Sequence, residues 1–295
     1  MWNLEQINAF NRQHPFTLPK AGDKIISSDT QISYVIGSEF AGGGFGRLFH
    51  CTDDWGHDLV AKVLRPVGDE QEMEARAVSE IVSANIARSP HIVHVHDAFV
   101  YKGAYYIISE RCASSLHTHL RKALQSREMW FPALCKAVLH ALHYMHTRGL
   151  VHGDVHAGNV LFHCKYDALL PAHQSAIDFK LGDFGQTRLI GSIEPGATWN
   201  EDCFPPEASD PEEFGPLDHR IDLYQAGLLF LRFLSDREVE FDRDDILSGR
   251  PREIAESLMH PAGEAIAIML RRHAEFRPEN ALVAWGNMKD VLVKS

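Results

Sequence analysis

The stretch from residue 150 to residue 161 reads LVHGDVHAGNVL, and the tripeptide Asp183-Phe184-Gly185 follows it after a strand-like run. The first stretch places a carboxylate, Asp154, and an amide, Asn159, in a loop between apolar flanks. Phosphoryl transfer requires positioning and charge neutralisation from a protein rather than covalent chemistry. One carboxylate can accept the proton of an attacking hydroxyl, while the other carboxylate, together with the amide oxygen, can bind magnesium. These two stretches, in this order, therefore indicate phosphoryl-transfer chemistry.

A glycine-rich segment near the N-terminus is compatible with phosphate binding. Residues 41–48 read AGGGFGRL and lie between two strand-like runs. Glycines let a backbone approach phosphate oxygens closely and point N–H groups at them. A flexible hairpin tip would have the same composition, so the segment alone leaves both interpretations open. A Rossmann-type nucleotide site is disfavoured because a strand, rather than a helix, follows the glycines.

Lys62 lies within an apolar strand-like run, in the sequence Val60-Ala61-Lys62. A lysine on the inward face of such a strand must be paired or must meet a ligand. Glu80, on the predicted helix that follows, is a plausible partner. The alternative is an edge-strand lysine whose ammonium group lies in water.

The distribution of apolar residues predicts an α+β fold of two lobes. Strands and one helix fill the first third of the chain, and we expect them at Ile32–Ile36, Gly46–Cys51, Asp58–Leu64, 69–87 (the helix), Ile92–Phe99 and Ala104–Ser109. The later segment 221–234, IDLYQAGLLFLRFL, is apolar nearly all round, which predicts a helix in the middle of a lobe. We therefore expect an N-terminal extension over 1–30, a β-rich N-lobe with one main helix over 31–112, and a mainly helical C-lobe over 113–295.

Composition and charge disfavour several classes of protein. The chain has 295 residues, of which 45% are hydrophobic, so it can bury a sizeable core. Its net charge of −11 repels phosphate backbones and anionic lipid, so neither nucleic acid nor a membrane is an expected partner. The five cysteines include no CxxC pair, and no signal-peptide pattern is present, which predicts free thiols in a cytoplasmic protein. The clustered histidines have no recognisable metal-ligand spacing, and we interpret them as exposed or core side chains.

From about Gln31 to the C-terminus, the order of these motifs resembles that of the eukaryotic-type (Hanks-type) protein kinase superfamily, with a serine/threonine-like pattern. The resemblance implies a bilobal protein-kinase-like fold, ATP and Mg²⁺ as cofactors, and a protein substrate that the sequence does not identify. It makes Asp154 the catalytic base and Asn159 and Asp183 the ligands of Mg²⁺. Lys62 would hold the α- and β-phosphates and pair with Glu80.

The resemblance also implies a set of nucleotide-binding residues. They are Gly43, Gly44, Phe45, Gly46, Leu48, Val60, Lys62, Glu110, Cys112 and Leu161. The glycines would cover the phosphates, and the apolar side chains would sandwich the adenine ring. Glu110 and Cys112 would offer backbone hydrogen bonds to adenine, and Ser109 would guard the back of that pocket.

Three features of the C-terminal half fit the same family. Pro205-Pro206-Glu207 resembles the Ala-Pro-Glu that closes the activation segment, Arg277 stands where the family's arginine pairs with that glutamate, and Asp222 stands where the family anchors its apolar helix. In the family these features build the platform on which a peptide lies. The sequence of residues 152–159 also resembles that of small-molecule phosphotransferases that modify aminoglycosides or choline. Those enzymes generally lack the three C-terminal features. Such a phosphotransferase and a nucleotide-binding pseudokinase are the two alternatives.

The catalytic loop departs from the family pattern at two positions. Gly153 replaces the arginine that usually precedes the catalytic aspartate, so no built-in cation is there to pair with an activation-loop phosphate. We therefore expect activity that does not depend strongly on loop phosphorylation. His156 takes the place of a catalytic lysine, which predicts slow or pH-dependent turnover because histidine is only partly charged near neutrality.

Two segments near the catalytic loop have no assigned role. Thr187, Ser192 and Thr198 are either autophosphorylation sites or ordinary polar loop residues. The stretch between Leu161 and Asp183 is longer than is usual in the family, and we expect it to form a surface loop.

Overall fold

In the computed structural model, the described residues are 18–42, 46–64, 89–120, 127–165, 176–197, 199–235 and 239–292. They divide into two compact units, one formed by the described residues up to 85 together with 93–111, the other by those of 86–92 and 112–295. The first unit is β-rich and the second is mainly helical, so the predicted fold class is confirmed. The helix predicted over 69–87 lies outside the described residues.

The first unit is built on a six-stranded antiparallel sheet. Its strands are β1 Lys24–Ile26, β2 Ser33–Gly42, β3 Gly46–Asp53, β4 Asp58–Leu64, β5 Val95–Tyr101 and β6 Ala104–Glu110, in the spatial order β1-β2-β3-β4-β6-β5. One face of the sheet buries a core that includes Tyr34, Phe49 and Ile108. Ala61 and Val63 belong to this core, so Lys62, which lies between them on β4, is on the other face of the sheet.

Strand β1 precedes the N-lobe boundary that the sequence analysis places at residue 31. Ile25 pairs with Tyr34 of β2 and is buried in the core of the sheet. A strand of three residues is too short to produce a recognisable alternation of apolar and polar residues. Residues 24–26 therefore belong to the sheet rather than to an extension.

The second unit contains most of the helices. They are α1 Leu116–Leu120, α2 Arg127–His146, α3 Pro211–Phe214, α4 Arg220–Leu234, α5 Arg243–Ser248, α6 Arg250–Glu256, α7 Gly263–Met269 and α8 Ala281–Leu292. Helix α4 is buried at every position from Ile221 to Leu231, which confirms its predicted central place. The ring of Phe131 on α2 contacts the rings of Phe230 and Phe233, so α2 packs directly against α4.

Short strands of the second unit flank the candidate catalytic loop, residues 152–159. They are β7 Ser114–Ser115, β8 Leu150–Val151, β9 Val160–Lys165, β10 Ala176–Leu181 and β11 Arg188–Leu189. Strand β9 pairs with β7 and β10, and β8 pairs with β11. The segment 152–159 thus runs between two strands that are each held by partners.

The stretch between Leu161 and Asp183, which the sequence predicts to be a surface loop, contains two paired strands. Strands β9 and β10 pair antiparallel over their whole length. Val160 and Phe162 on β9, and Phe179 and Leu181 on β10, are buried at alternate positions, which is the period of a half-buried strand. Residues 166–175 lie outside the described part of the chain.

Among the described residues, no helix is long and apolar enough to cross a membrane. Cys51, Cys112, Cys135 and Cys203 are free thiols. Within the same part of the chain, no group of three or more histidine, cysteine or acidic side chains is placed to hold a metal ion.

Candidate active site

The backbone of the catalytic loop is held by a buried carboxylate from helix α4. Asp222 Oδ2 accepts a hydrogen bond from the backbone N–H of His152 at 2.8 Å, and Oδ1 accepts one from Gly153 at 2.7 Å. His146 Nε2 lies 2.9 Å from the same Oδ2. Asp222 is fully buried, so these bonds form where water does not compete. They fix the two residues that precede Asp154.

A glutamine of the same helix fixes the loop on either side of Asp154. Gln225 Oε1 accepts from the N–H of Val155 at 2.9 Å, and its Nε2 donates to the carbonyl oxygen of Gly153 at 3.1 Å. Gln225 is fully buried. The sequence analysis missed this residue because an amide inside an apolar helix has no motif of its own.

His152 links the catalytic loop to the Asp183 segment. Its Nδ1 accepts from the N–H of Asp154 at 3.3 Å, so its Nε2 carries the proton and donates to the carbonyl oxygen of Gly182 at 3.1 Å. The ring also packs edge-on against Phe184, with ring centroids 5.6 Å apart. The imidazole of His152 therefore connects the two motifs.

Both oxygens of the Asp154 carboxylate are contacted. Oδ2 accepts from Asn159 Nδ2 at 3.0 Å and lies 3.5 Å from His156 Nε2. Oδ1 accepts from Asn200 Nδ2 at 3.0 Å and from Cys203 Sγ at 3.5 Å. Burial raises the pKa of Asp154, but the contacts with His156 and Asn200 have a larger, opposite effect, so the net pKa is lowered to about 2. The carboxylate is consequently ionised throughout the neutral range.

His156 contacts Asp154 and also closes the loop on itself. Its Nδ1 accepts a hydrogen bond from the N–H of Gly158 at 3.1 Å. A Cβ at position 158 would lie 2.7 Å from the imidazole Cε1, so a side chain there would displace the ring from this position.

The two candidate metal ligands lie on segments that are bonded to each other. Asn159 donates from Nδ2 to the carbonyl oxygen of Asp154 at 2.8 Å, and its own carbonyl oxygen accepts from the N–H of Gly182 at 2.9 Å. Asp183 follows directly, with an exposed side chain and a left-handed φ of +59°. One amide oxygen and one carboxylate form a hard oxygen donor set, which fits Mg²⁺.

In the first unit, the candidate phosphate-binding residues share one face of the sheet. Leu48 on β3 is directly opposite Lys62 on β4, and Gly46 is opposite Leu64. A Cβ at Gly46 would lie 2.8 Å from the carbonyl oxygen of Val63, so a side chain there would push β3 away from β4. The other predicted residues of this site, Gly43, Gly44, Phe45 and Glu80, lie outside the described residues.

Each of the two units contains some of the candidate adenine-binding residues. In the first unit, Val60 is opposite Ser109, and Glu110 Oε1 accepts from the N–H of His94 at 2.7 Å. In the second unit, Leu161 pairs with Ser115 and Lys180. Cys112 Sγ lies 3.4 Å from His163 Nε2 in that unit.

The predicted pair between Glu207 and Arg277 is present and buried. Arg277 Nη1 donates to Glu207 Oε1 at 2.5 Å and Nη2 donates to Oε2 at 2.7 Å, in the forked geometry that suits these groups. Both side chains are 0% exposed. The guanidinium also donates to the carbonyl oxygens of Arg271, Arg220 and Arg272. This pair fixes the end of the segment that follows Asp183.

Comparison with known proteins identifies the class to which this fold and loop belong. The chain matches the protein kinase domain family over residues 34–266. Cyclin-dependent kinase D-1 of Arabidopsis thaliana is 28% identical over 213 residues, which cover 69% of this chain and 49% of that protein. Serine/threonine-protein kinase PLK2 of Rattus norvegicus is 24% identical over 275 residues, which cover 88% of this chain and 38% of that protein.

A solved structure agrees with the sequence match. The autoinhibited serine kinase domain of the giant muscle protein titin superposes with a TM-score of 0.66 at 19% identity, covering 88% of this chain and 81% of that chain. This likeness confirms the protein-kinase-like fold. Because the family match extends over most of its length, the chain belongs to the protein kinase domain family. It spans less than half the length of the two kinases named above.

Proposed function

We propose that this chain is an ATP- and Mg²⁺-dependent protein kinase that transfers the γ-phosphoryl group to serine or threonine hydroxyls of a protein substrate. The observation that best supports the proposal is the site around Asp154. Its carboxylate is ionised, 16% exposed, and bonded to the Asn159 amide on a loop that is tied to the Asp183 segment. Membership of the protein kinase domain family supports the same reaction.

Asp154 is the proposed catalytic base. The substrate hydroxyl would donate its hydrogen bond to this carboxylate, which orients the oxygen toward the γ-phosphorus. As the new O–P bond forms and the bond to ADP breaks, the hydroxyl proton passes to Asp154. Because the pKa of Asp154 is about 2, the carboxylate accepts this proton only late in the transfer, when the hydroxyl has become acidic.

Asn159 and Asp183 are the proposed ligands of Mg²⁺. The Asn159 amide turns its nitrogen toward Asp154, which leaves its oxygen as the metal-binding end. When bound, the cation would neutralise charge on the transferring phosphates. Lys62, Gly46, Gly43, Gly44 and Phe45 are proposed to hold the phosphates, with Glu80 as the partner of Lys62.

The adenine ring is proposed to contact Leu48, Val60 and Leu161, and to hydrogen-bond the backbone at Glu110 and Cys112. These assignments follow the family resemblance position by position.

A protein rather than a small molecule is the proposed acceptor. The buried pair of Glu207 with Arg277, and the anchoring of the catalytic loop by Asp222, are features that the small-molecule phosphotransferases generally lack. The pair of Glu207 with Arg277 holds the end of the segment that follows Asp183, and Asp222 holds the loop that carries Asp154. A protein substrate would lie on that segment.

The proposed activity does not require a phosphate on the activation segment. Position 153 is glycine, so the loop offers no arginine beside Asp154 to pair with such a phosphate. Phosphorylation of Thr187, Ser192 or Thr198 should then have little effect on turnover. The triple variant Thr187→Ala, Ser192→Ala, Thr198→Ala should leave kcat within about twofold of wild type. A loss of activity in this variant would contradict phosphate independence.

Two isosteric variants separate the base from the metal ligand. Asp154→Asn should leave ATP binding nearly unchanged by calorimetry while lowering kcat by about 10²–10⁴, because the base acts only in the chemical step. Asp183→Asn should weaken the Mg²⁺-dependent part of ATP affinity as well. Asp244→Asn, which changes an exposed aspartate in the first turn of α5, is the matched control and should behave as wild type.

The outcomes of this comparison are distinct. Wild-type turnover in Asp154→Asn would show that the assigned base is wrong. An unchanged dependence of ATP affinity on Mg²⁺ in Asp183→Asn would show that the assigned ligand is wrong. ATP binding by the wild-type protein without transfer to any acceptor would identify it as a pseudokinase.

A further inference from the structure

Gly153 has a backbone conformation and surroundings that disfavour a side chain. Its φ is +77°, a left-handed value that residues with a Cβ rarely adopt. A Cβ there would also lie 3.1 Å from the carbonyl oxygen of Gln186 and 3.7 Å from the ring of Trp199. The segment that follows Asp183 therefore lies close to Gly153, and a side chain at this position would be strained and crowded.

Trp199 belongs to an apolar cluster that holds this segment. The cluster has a buried centre of Val151, Ile193 and Ile221, against which the side chains of Ala197, Trp199 and Leu217 pack. Val151 is the last residue of β8 and immediately precedes the catalytic loop, while Ile221 lies on α4 next to Asp222. The cluster thus joins the segment to both elements that fix Asp154.

Arg188 covers the indole ring of Trp199. Its guanidinium carbon lies 5.1 Å from the ring centroid, within the range of a cation–π interaction. The guanidinium also donates to the side chain of Gln186 at 3.2 Å. Arg188 is opposite Val151 in the pairing of β11 with β8, so the indole is held by a residue whose own backbone is fixed.

Asn200, the next residue, contacts the base itself. Its Oδ1 accepts from the N–H of Asp202 at 3.1 Å and caps the short helical turn Glu201–Cys203. This fixes the orientation of the amide and directs Nδ2 to Asp154 Oδ1, which it reaches at 3.0 Å. The ring of Trp199 therefore lies beside Gly153, and Asn200 contacts Asp154.

We propose that Trp199 and Asn200 are positioning residues for the base: Trp199 docks the segment beside Gly153 through the apolar cluster, and Asn200 then sets the orientation of the Asp154 carboxylate. The proposal rests on the proposed function. In it, the contacts of Trp199 and Asn200 order the segment that follows Asp183, so a phosphate on that segment is not needed. Asn159 holds Oδ2 and Asn200 holds Oδ1, so the rotation of the carboxylate is fixed from both sides. Loss of either docking contact would leave ATP binding intact and misorient the base.

The test compares conservative and disruptive variants at both positions. Trp199→Ala and Asn200→Ala should each lower kcat by about tenfold or more while the affinity for ATP stays within about twofold, the pattern expected for groups that act in the transition state. Trp199→Phe keeps an aromatic ring, and Asn200→Ser keeps both a cap and a donor, so each should recover most of the loss. Glu194→Ala, at an exposed position of the same segment, is the matched control.

A second measurement is independent of activity. Hydrogen exchange of the backbone amides in 187–203 should be faster in Trp199→Ala than in wild type, with thermal midpoints measured alongside to show that the rest of the protein stays folded. Values of kcat within about twofold of wild type in both alanine variants would overturn the proposal. So would unchanged exchange in Trp199→Ala. If wild type itself transfers no phosphate, the proposed function fails, while the exchange result still decides whether Trp199 docks the segment.

Discussion

Replacing Arg277 with methionine should lower the free energy of unfolding by about 3–5 kcal/mol, the usual cost of removing one partner from a buried ion pair. The change leaves the carboxylate of Glu207 buried without its counter-charge. Methionine keeps much of the volume of the arginine stem, so the loss reports the missing charge and hydrogen bonds more than a cavity.

The magnitude follows from the contacts of the guanidinium. It donates to both oxygens of Glu207 and to three backbone carbonyl oxygens, and its carbon lies 4.7 Å from the centroid of the Tyr224 ring. Both charged side chains are 0% exposed, so water cannot replace these partners. The carboxylate that remains would pay a desolvation cost of several kcal/mol or take up a proton.

The assay is equilibrium unfolding in urea, followed by circular dichroism. The control is Arg243→Met, because Arg243 makes a similarly short, two-bond pair with Glu201 in which the side chains are 58% and 64% exposed. Solvent screens that pair, so its loss should leave the midpoint close to wild type. The contrast between the two variants isolates the effect of burial.

Equal midpoints for Arg277→Met and Arg243→Met would refute the reasoning. A further check is the double variant Glu207→Leu with Arg277→Met, which removes both charges. It should be more stable than Arg277→Met alone, since no unpaired charge remains buried. A double variant that is less stable than the single one would show that the loss comes from packing instead.

Three further predictions concern Asp222, which holds the catalytic loop, and Gly46. Asp222→Asn should lower kcat by about tenfold or more, because an amide has one acceptor oxygen and would present a donor to the N–H of His152 or Gly153; ATP affinity measured by calorimetry should change little. Burial raises the pKa of Asp222, but its hydrogen bonds with His146 and the Gly153 N–H have a larger, opposite effect, so the net pKa lies below the ordinary aspartate value. The ionised Asp222 carboxylate therefore contributes fully to stability above the ordinary aspartate pKa. This contribution is lost as the pH falls through the lower pKa of the folded state. The difference in urea midpoint between wild type and Asp222→Asn should therefore become smaller as the pH is lowered. Gly46→Val should weaken ATP binding by about tenfold or more because the side chain would displace β3 from β4, whereas Gly286→Ala, where a Cβ meets nothing within 4 Å, should bind ATP as wild type does.

The features that the sequence predicts well are those in which one residue type has one structural use. An aspartate at the start of an apolar helix must find donors, and Asp222 finds them on the catalytic loop. A glutamate after two prolines and a distant arginine suggest a pair only by family resemblance, and the structure confirms that Glu207 and Arg277 meet. The two-lobe fold class follows from the change of period between the first third of the chain and the remainder.

The features that the sequence does not predict depend on contacts between distant segments. The sequence predicts a surface loop between Leu161 and Asp183 because the stretch is longer than is usual in the family, whereas β9 and β10 in this stretch are paired strands. Asn200 and Trp199 stand in a segment without a periodic pattern, and only the folded chain brings them to Asp154 and Gly153. The sequence shows that Gly153 departs from the family motif, but it does not show that the indole of Trp199 lies beside this glycine.

The central claim is tested most directly by incubating the purified protein and its Asp154→Asn variant with Mg²⁺ and γ-labelled ATP. The acceptors are a generic basic protein and, in parallel, a panel of amino sugars and choline. The account predicts label on serine or threonine residues of the protein acceptor or of the kinase itself, identified by mass spectrometry and absent with the variant. Label on an amino sugar or choline alone, or equal labelling by both proteins, would contradict it.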